Sequence, residues 1–202
     1  FLDEFVGSLD VAGDATRAYS PNKLEHFTRQ IVYLRPHTFV IFDRVKSKQP
    51  EFKKTWLLQA MRKPEQSGNQ LIITNGKGRL FVQTLLPAQP EVRLVSGDDL
   101  YRYDGQAYPP GRDTGPAPEC RIEISPSRAS AEDFFLHVLT AGDEKTSSVP
   151  LAQLKLDGPR VQVTVGDAQL SFQTSAVGGE IMLKGKKLLL ADGVRMNASS
   201  QP

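Results

Sequence analysis

Three histidines and one cysteine are all the imidazole and thiol that this 202-residue chain offers to chemistry. His26 stands just before a strand-like run and Asp43 near the end of the next, so a hairpin could bring the two side chains close. Arg29 and Arg44 are alternative partners for Asp43. His137, inside Phe135-Leu136-His137-Val138-Leu139, has the surroundings of a core imidazole that satisfies itself locally, and His37, between Pro36 and Thr38, reads as solvated. Three scattered histidines argue against a metal enzyme of cupin type, whose ligands cluster on adjacent strands.

Two further groups carry polar or aromatic side chains outside obvious strands. Gly13-Asp14-Ala15-Thr16-Arg17-Ala18-Tyr19 is polar and without strand pattern. Asp14, Arg17 and Tyr19 therefore serve either a contact surface or a turn in which Asp and Thr bond nearby backbone groups. Tyr101, Tyr103 and Tyr108, with Arg102 and Trp56, are of the types that stack on the apolar C–H faces of sugar rings, or they pin a long loop to the body of the protein.

The elements that must position these residues are strands. Short β-branched and aromatic runs extend from Phe27 to Leu190, and Val161, Val163 and Val165 alternate with Gln162 and Thr164 as in a strand with one wet face. Thr38-Phe39-Val40-Ile41-Phe42 and Phe134 to Leu139 are apolar on both faces, as central strands covered from two sides would be. Turn signals at 35–37, 67–69, 75–78, 157–159 and 166–167 predict a largely antiparallel meander. The stretch from Gly97 to Glu119, rich in Pro and Gly, is a long surface excursion. The expected fold is all-β, a single antiparallel two-sheet β-sandwich of supersandwich-like form over residues 1–202, with roughly 12–14 strands.

Composition narrows the function classes. Twenty-five basic and 23 acidic residues are interspersed for a formal charge of +2, so nucleic acid binding gets no support. The lysine groups Lys53-Lys54 and Lys184 to Lys187 read as solvated edge protection. The lone Cys120 allows no internal disulfide, and no apolar run reaches the roughly 20 residues of a membrane span. The start, Phe1-Leu2-Asp3-Glu4, is not a signal peptide; with no Met at position 1, the natural N-terminus is expected elsewhere. The polar tail, Asn197 to Pro202, is expected to fray.

Three blocks of sequence combine into a larger pattern: Gly13 to Tyr19; Thr28 to Leu34 with Phe39-Val40-Ile41-Phe42-Asp43-Arg44-Val45 and Thr55-Trp56-Leu57-Leu58-Gln59; and Gly78 to Pro87 with Asp133 to Leu139. Jointly they resemble the C-terminal sandwich domain of the heparinase II/III-like polysaccharide lyases. The resemblance implies a partner, an N-terminal α/α-toroid of the same protein, and an anionic polysaccharide substrate whose uronic-acid bonds are broken by β-elimination. It implies a periplasmic or secreted location. It also implies that the sandwich braces the toroid and lines part of its cleft, with Asp14, Arg17 and Tyr19 facing that way and no catalysis by the chain alone. Related lyases hold a structural zinc through His and Asp, here His26 and Asp43. The third ligand expected after Trp56-Leu57-Leu58 is replaced by Gln59, a poor zinc donor. The alternative is a stand-alone carbohydrate-binding module using Tyr101, Tyr103 and Tyr108.

Overall fold

The computed structural model describes residues 8–103, 105–112 and 115–192; the polar tail lies outside them. In chain order the strands are β1 (Ser8–Asp14), β2 (Leu24–Leu34), β3 (Thr38–Ser47), β4 (Trp56–Ala60), β5 (Glu65–Ser67), β6 (Gln70–Asn75), β7 (Gly78–Leu86), β8 (Pro90–Ser96), β9 (Arg102–Tyr103), β10 (Gln106–Ala107), β11 (Cys120–Pro126), β12 (Glu132–Asp143), β13 (Gln153–Asp157), β14 (Arg160–Val165), β15 (Ala168–Gln173), β16 (Gly179–Leu183) and β17 (Lys186–Leu189). Two 3-10 turns, Thr16–Ala18 and Gly97–Tyr101, are the helical elements among the described residues.

The runs that are apolar on both faces decide the architecture. β3 and β12 lie side by side at the middle of a seven-stranded sheet of order β1-β2-β3-β12-β7-β6-β5, every described pairing antiparallel. Side chains alternate between its faces, so Val32, Leu34, Val40, Phe42, Leu136 and Val138 point one way, onto Val161, Val163, Leu170, Phe172 and Ile181 of the five-stranded sheet β13-β14-β15-β16-β17. Ile41, Val45, Phe135, Val82 and Ile73 point the other way, under Trp56, Ile122 and Ile124 of the three-stranded sheet β4-β11-β8. Each fully buried side chain of this kind contributes about 1.5–3 kcal/mol, so neither apolar face of β3 can be left wet. The all-β antiparallel sandwich is as expected, and a third layer adds to the two sheets that alternation alone suggests.

The meander holds only locally. β2–β3, β5–β6–β7 and β13 to β17 are successive hairpins, but β12 inserts between β3 and β7, and the outer sheet is assembled from β4, β8 and β11 across long connections. Strand β1 pairs with β2 over its whole length, so Gly13 and Asp14 end a strand rather than belonging to a loop.

Polar side chains tie the five-stranded sheet to the central one. Gln30 Nε2 donates to the Gly178 carbonyl, Arg44 Nε to the Gln173 carbonyl at 2.7 Å, and Arg44 Nη2 to Gln30 Oε1. Gln83 donates to the Ala152 carbonyl and accepts from the Ala152 N–H. Arg44 is 2% exposed with its guanidinium 4.4 Å from the centre of the Phe42 ring, and burial pulls its pKa down to about 10. At the same seam Gly179 has φ +132°, and a Cβ there would stand 2.0 Å from the Ser171 carbonyl oxygen, which makes glycine obligatory.

Candidate functional site

Among the described residues, one face of the central sheet is only partly roofed. The three-stranded sheet packs over β3, β12, β7 and β6, whereas β1, β2 and the start of β3 carry a shelf of Val11, Phe27, Arg29, Ile31, Tyr33 and Phe39, with Tyr19 at its end. Val11 and Tyr19 are 58% and 53% exposed. The shelf is stiffened by its own aromatic contacts: Tyr33 stacks on Phe39 at 4.6 Å, and Tyr19 meets Phe27 edge-on at 5.8 Å. Such a surface, apolar and aromatic with one guanidinium at its centre, suits a packed partner or the face of a sugar.

That guanidinium belongs to Arg29. It grips Asp43 with both Nε and Nη2, at 2.7 and 2.6 Å, across directly paired positions of β2 and β3. Asp43 is 2% exposed; burial pushes its carboxyl up, and Arg29 opposes this. Asp43 thus takes the arginine partner that competed with a metal in the sequence.

The pairing of His26 with Asp43 does not occur. His26 stands opposite Lys46 in the same regular register that pairs Arg29 with Asp43, and three residues before Arg29 it falls on the sheet face opposite to Asp43. Its Nε2 lies 3.3 Å from Thr28 Oγ1. Gln59 is exposed on β4, and no group of three His, Cys, Asp or Glu among the described residues is placed to hold a metal ion. With both Asp43 oxygens engaged by Arg29, these residues do not fit a zinc site.

Asp14, Arg17 and Tyr19 are brought together at the turn that leads off β1. Asp14 Oδ1 accepts the Thr16 N–H at 2.8 Å, and the bonds from Thr16 hold the Asp14 carboxyl below its ordinary range. Thr16 Oγ1 in turn accepts the Phe27 N–H, fixing the turn against β2. Arg17 is exposed. The segment is both turn and surface: its Asp and Thr build the turn, while Arg17 and Tyr19 face solvent. Asp14→Ala should lower stability by about 1 kcal/mol or less, as loss of such a capping bond does at exposed sites, with Tyr19 freed from its fixed place; urea denaturation and the Tyr19 ring signals by NMR check this.

The excursion after β8 carries regular structure among its described residues. It forms the 3-10 turn Gly97–Tyr101 and the small β9–β10 hairpin, clamped by the Tyr108 N–H donating to the Tyr101 carbonyl. Tyr103 and Tyr108 are 76% and 56% exposed, whereas Tyr101 is half-buried. Trp56 does not join them: it is 5% exposed and stacked on His137 at 3.9 Å. His137 is fully buried, bonded through Nδ1 to Thr84 Oγ1, as expected of a core histidine.

Comparison of the three-layer arrangement with solved structures finds the same fold in a heparan sulfate lyase and in two structures of heparinase III. Heparan sulfate lyase HepC from Pedobacter heparinus matches 92% of this chain with a TM-score of 0.51 at 13% identity. A heparinase III matches 91% with a TM-score of 0.52 at 13% identity, and a further heparinase III gene product 91% with 0.54 at 12%. The chain has a heparinase III-type fold. This heparinase III-type sandwich spans about a quarter of the chains it resembles, 26% of HepC and 25% of each heparinase III. No family model matches the sequence, and no curated protein does. Shared architecture without sequence likeness is what a scaffold fixed by buried layers allows, since packing constrains pattern and volume more than identity.

Proposed function

We propose that this chain is the C-terminal sandwich domain of a polysaccharide lyase that cleaves uronic-acid glycans by β-elimination, bracing a helical toroid and lining part of its cleft. The observation that carries this is the match over nine-tenths of the chain to only a quarter of each heparinase, one structural unit of a larger enzyme. The open shelf supports it: Val11, Tyr19, Phe27, Ile31, Tyr33 and Phe39 form an apolar platform of the kind that an adjoining domain covers. Arg29 at its centre keeps Nη1 for a uronate carboxylate, and Arg17 and Tyr19 stand at the rim. On this reading the protein works in the periplasm or outside the cell; no helix among the described residues is long and apolar enough to cross a membrane.

β-Elimination needs an acid, a base and a neutralised carboxylate together. The shelf supplies one arginine and one exposed tyrosine and no accessible imidazole beside them, so the isolated 202-residue chain should release no unsaturated uronate from heparan sulfate or alginate, followed by ultraviolet absorbance. Elimination activity of the isolated chain would overturn the proposal. A stand-alone carbohydrate-binding module is the second reading, favoured by the exposure of Tyr103 and Tyr108. It requires affinity for neutral as well as acidic glycans that disappears on Tyr103→Ala and Tyr108→Ala.

A further inference from the structure

The outer face of the three-stranded sheet carries a second feature that the shelf does not use. Between this sheet and the 3-10 turn Gly97–Tyr101 lies a cleft of about 250 Å³ lined by Arg93, Asp99, Arg102, Gly105 and Arg121. Its arginines are not equivalent. Arg121 is mostly buried and committed: Nε donates to Glu123 at 2.8 Å, while the two terminal nitrogens donate to the carbonyls of Leu100 and Arg102. It thereby fastens the excursion to the sheet. Arg93, on the strand paired with β11, stands opposite Glu123 at 3.7 Å and is 69% exposed, so most of its fork faces solvent. Arg102 is exposed and its guanidinium has no protein partner among the described residues.

Three guanidinium groups thus converge where Asp99 and the shared Glu123 supply two carboxylates, in a chain of nearly balanced charge. Their rigid forks match the paired oxygens of a carboxylate or a sulfate. Gly105, with φ +78° and nothing within 4 Å of where a Cβ would be, leaves the mouth of the cleft clear. The cleft has room for a single charged unit, not for the extended phosphate track of a nucleic acid.

We propose that this cleft binds a carboxylate- or sulfate-bearing sugar unit of an acidic polysaccharide, with Arg93 and Arg102 making the anion contacts and Arg121 positioning them. Only the class of polymer is borrowed from the proposed function; the cleft lies on the outer sheet, apart from the shelf. The test is calorimetric titration of the 202-residue chain with heparan sulfate, an unsulfated polyuronate, dextran and single-stranded DNA. The expected result is binding of one or both acidic glycans and none of dextran, weakened about tenfold or more by the Arg93→Gln, Arg102→Gln pair and less than about twofold by Arg128→Gln, an exposed arginine outside the cleft. Preference between the two acidic glycans identifies the oxyanion. No binding, equal affinity in the double variant, equal loss in Arg128→Gln, or DNA binding as tight as that of the glycans would each overturn it. Elimination activity of the isolated chain would defeat the domain assignment and leave the cleft untouched, so the two failures are separate.

Discussion

Lys54→Met should cost about 3–5 kcal/mol of folding stability, the usual effect of breaking a buried ion pair from one side. The Lys54 side chain is 7% exposed and its ammonium is surrounded: it donates to Ser47 Oγ at 3.0 Å, to the carbonyls of Ser130 and Phe52, and pairs with Asp133 Oδ2 at 3.0 Å. Asp133 Oδ2 makes no well-aligned hydrogen bond, so charge rather than geometry holds the pair. Lys54 therefore joins the end of β3, the start of β12 and the segment before β4, three pieces far apart in sequence. Removing it leaves a carboxylate only 13% exposed with no cation, as well as two carbonyls without donors. Urea denaturation of Lys54→Met, Asp133→Asn and the double variant checks this. The double variant should recover part of the loss, because the stranded charge is gone; a single variant within about 0.5 kcal/mol of the wild type would show the pair to be unimportant.

This lysine also marks where the sequence stopped being legible. Lys53-Lys54 reads as a solvated pair, and Lys53 is exposed, but nothing local distinguishes its neighbour, whose partners lie 7 and about 80 residues away in the chain. The same holds for Gln30, Gln83 and Arg44, polar residues in alternating runs that turn out to be the ties between two sheets. Legibility was high where local pattern and burial agree. Arg160–Val165 is a strand with the bounds its alternation suggests, and the doubly apolar runs at Thr38 and Phe134 became neighbouring central strands. Lys186 and Lys187 do lie exposed on an edge strand, β17. In β8 and β16 a charged residue or a glycine interrupts the alternation, so local pattern alone does not mark them. For the candidate site, Tyr19 and the exposed tyrosines were readable as surface residues, whereas the shelf itself depends on which strands the outer sheet leaves bare. The side on which His26 falls follows from plain alternation: it pairs with Lys46 in the register that joins Arg29 to Asp43, three positions on, so the two side chains of the expected pair leave opposite faces.

Between pH 6.5 and about 3 the protein should lose stability at about 1.4 kcal/mol per pH unit through His137 alone. His137 is fully buried; burial, then the positive charge of Arg29, pulls its pKa down to about 3. Thr84 engages Nδ1, while Nε2 finds no partner, so nothing in the fold rewards a second proton. An unfolded histidine titrates near 6.5. Above that pH both states are neutral and the residue makes no pH-dependent contribution; below it the unfolded chain binds a proton that the folded chain refuses, and the equilibrium moves towards unfolding. From pH 7 to pH 5 this amounts to about 2 kcal/mol, in a range where ordinary carboxylates remain largely ionised. His137→Phe keeps a ring against Trp56 and removes the buried imidazole, giving up only the bond to Thr84. Its unfolding free energy should therefore vary by less than about 0.5 kcal/mol from this site across the same range. Denaturant midpoints at pH 7, 6 and 5 for both proteins separate the possibilities: parallel curves would mean that His137 takes up its proton in the folded state, which would require the Trp56 stack to open and water to reach Nε2.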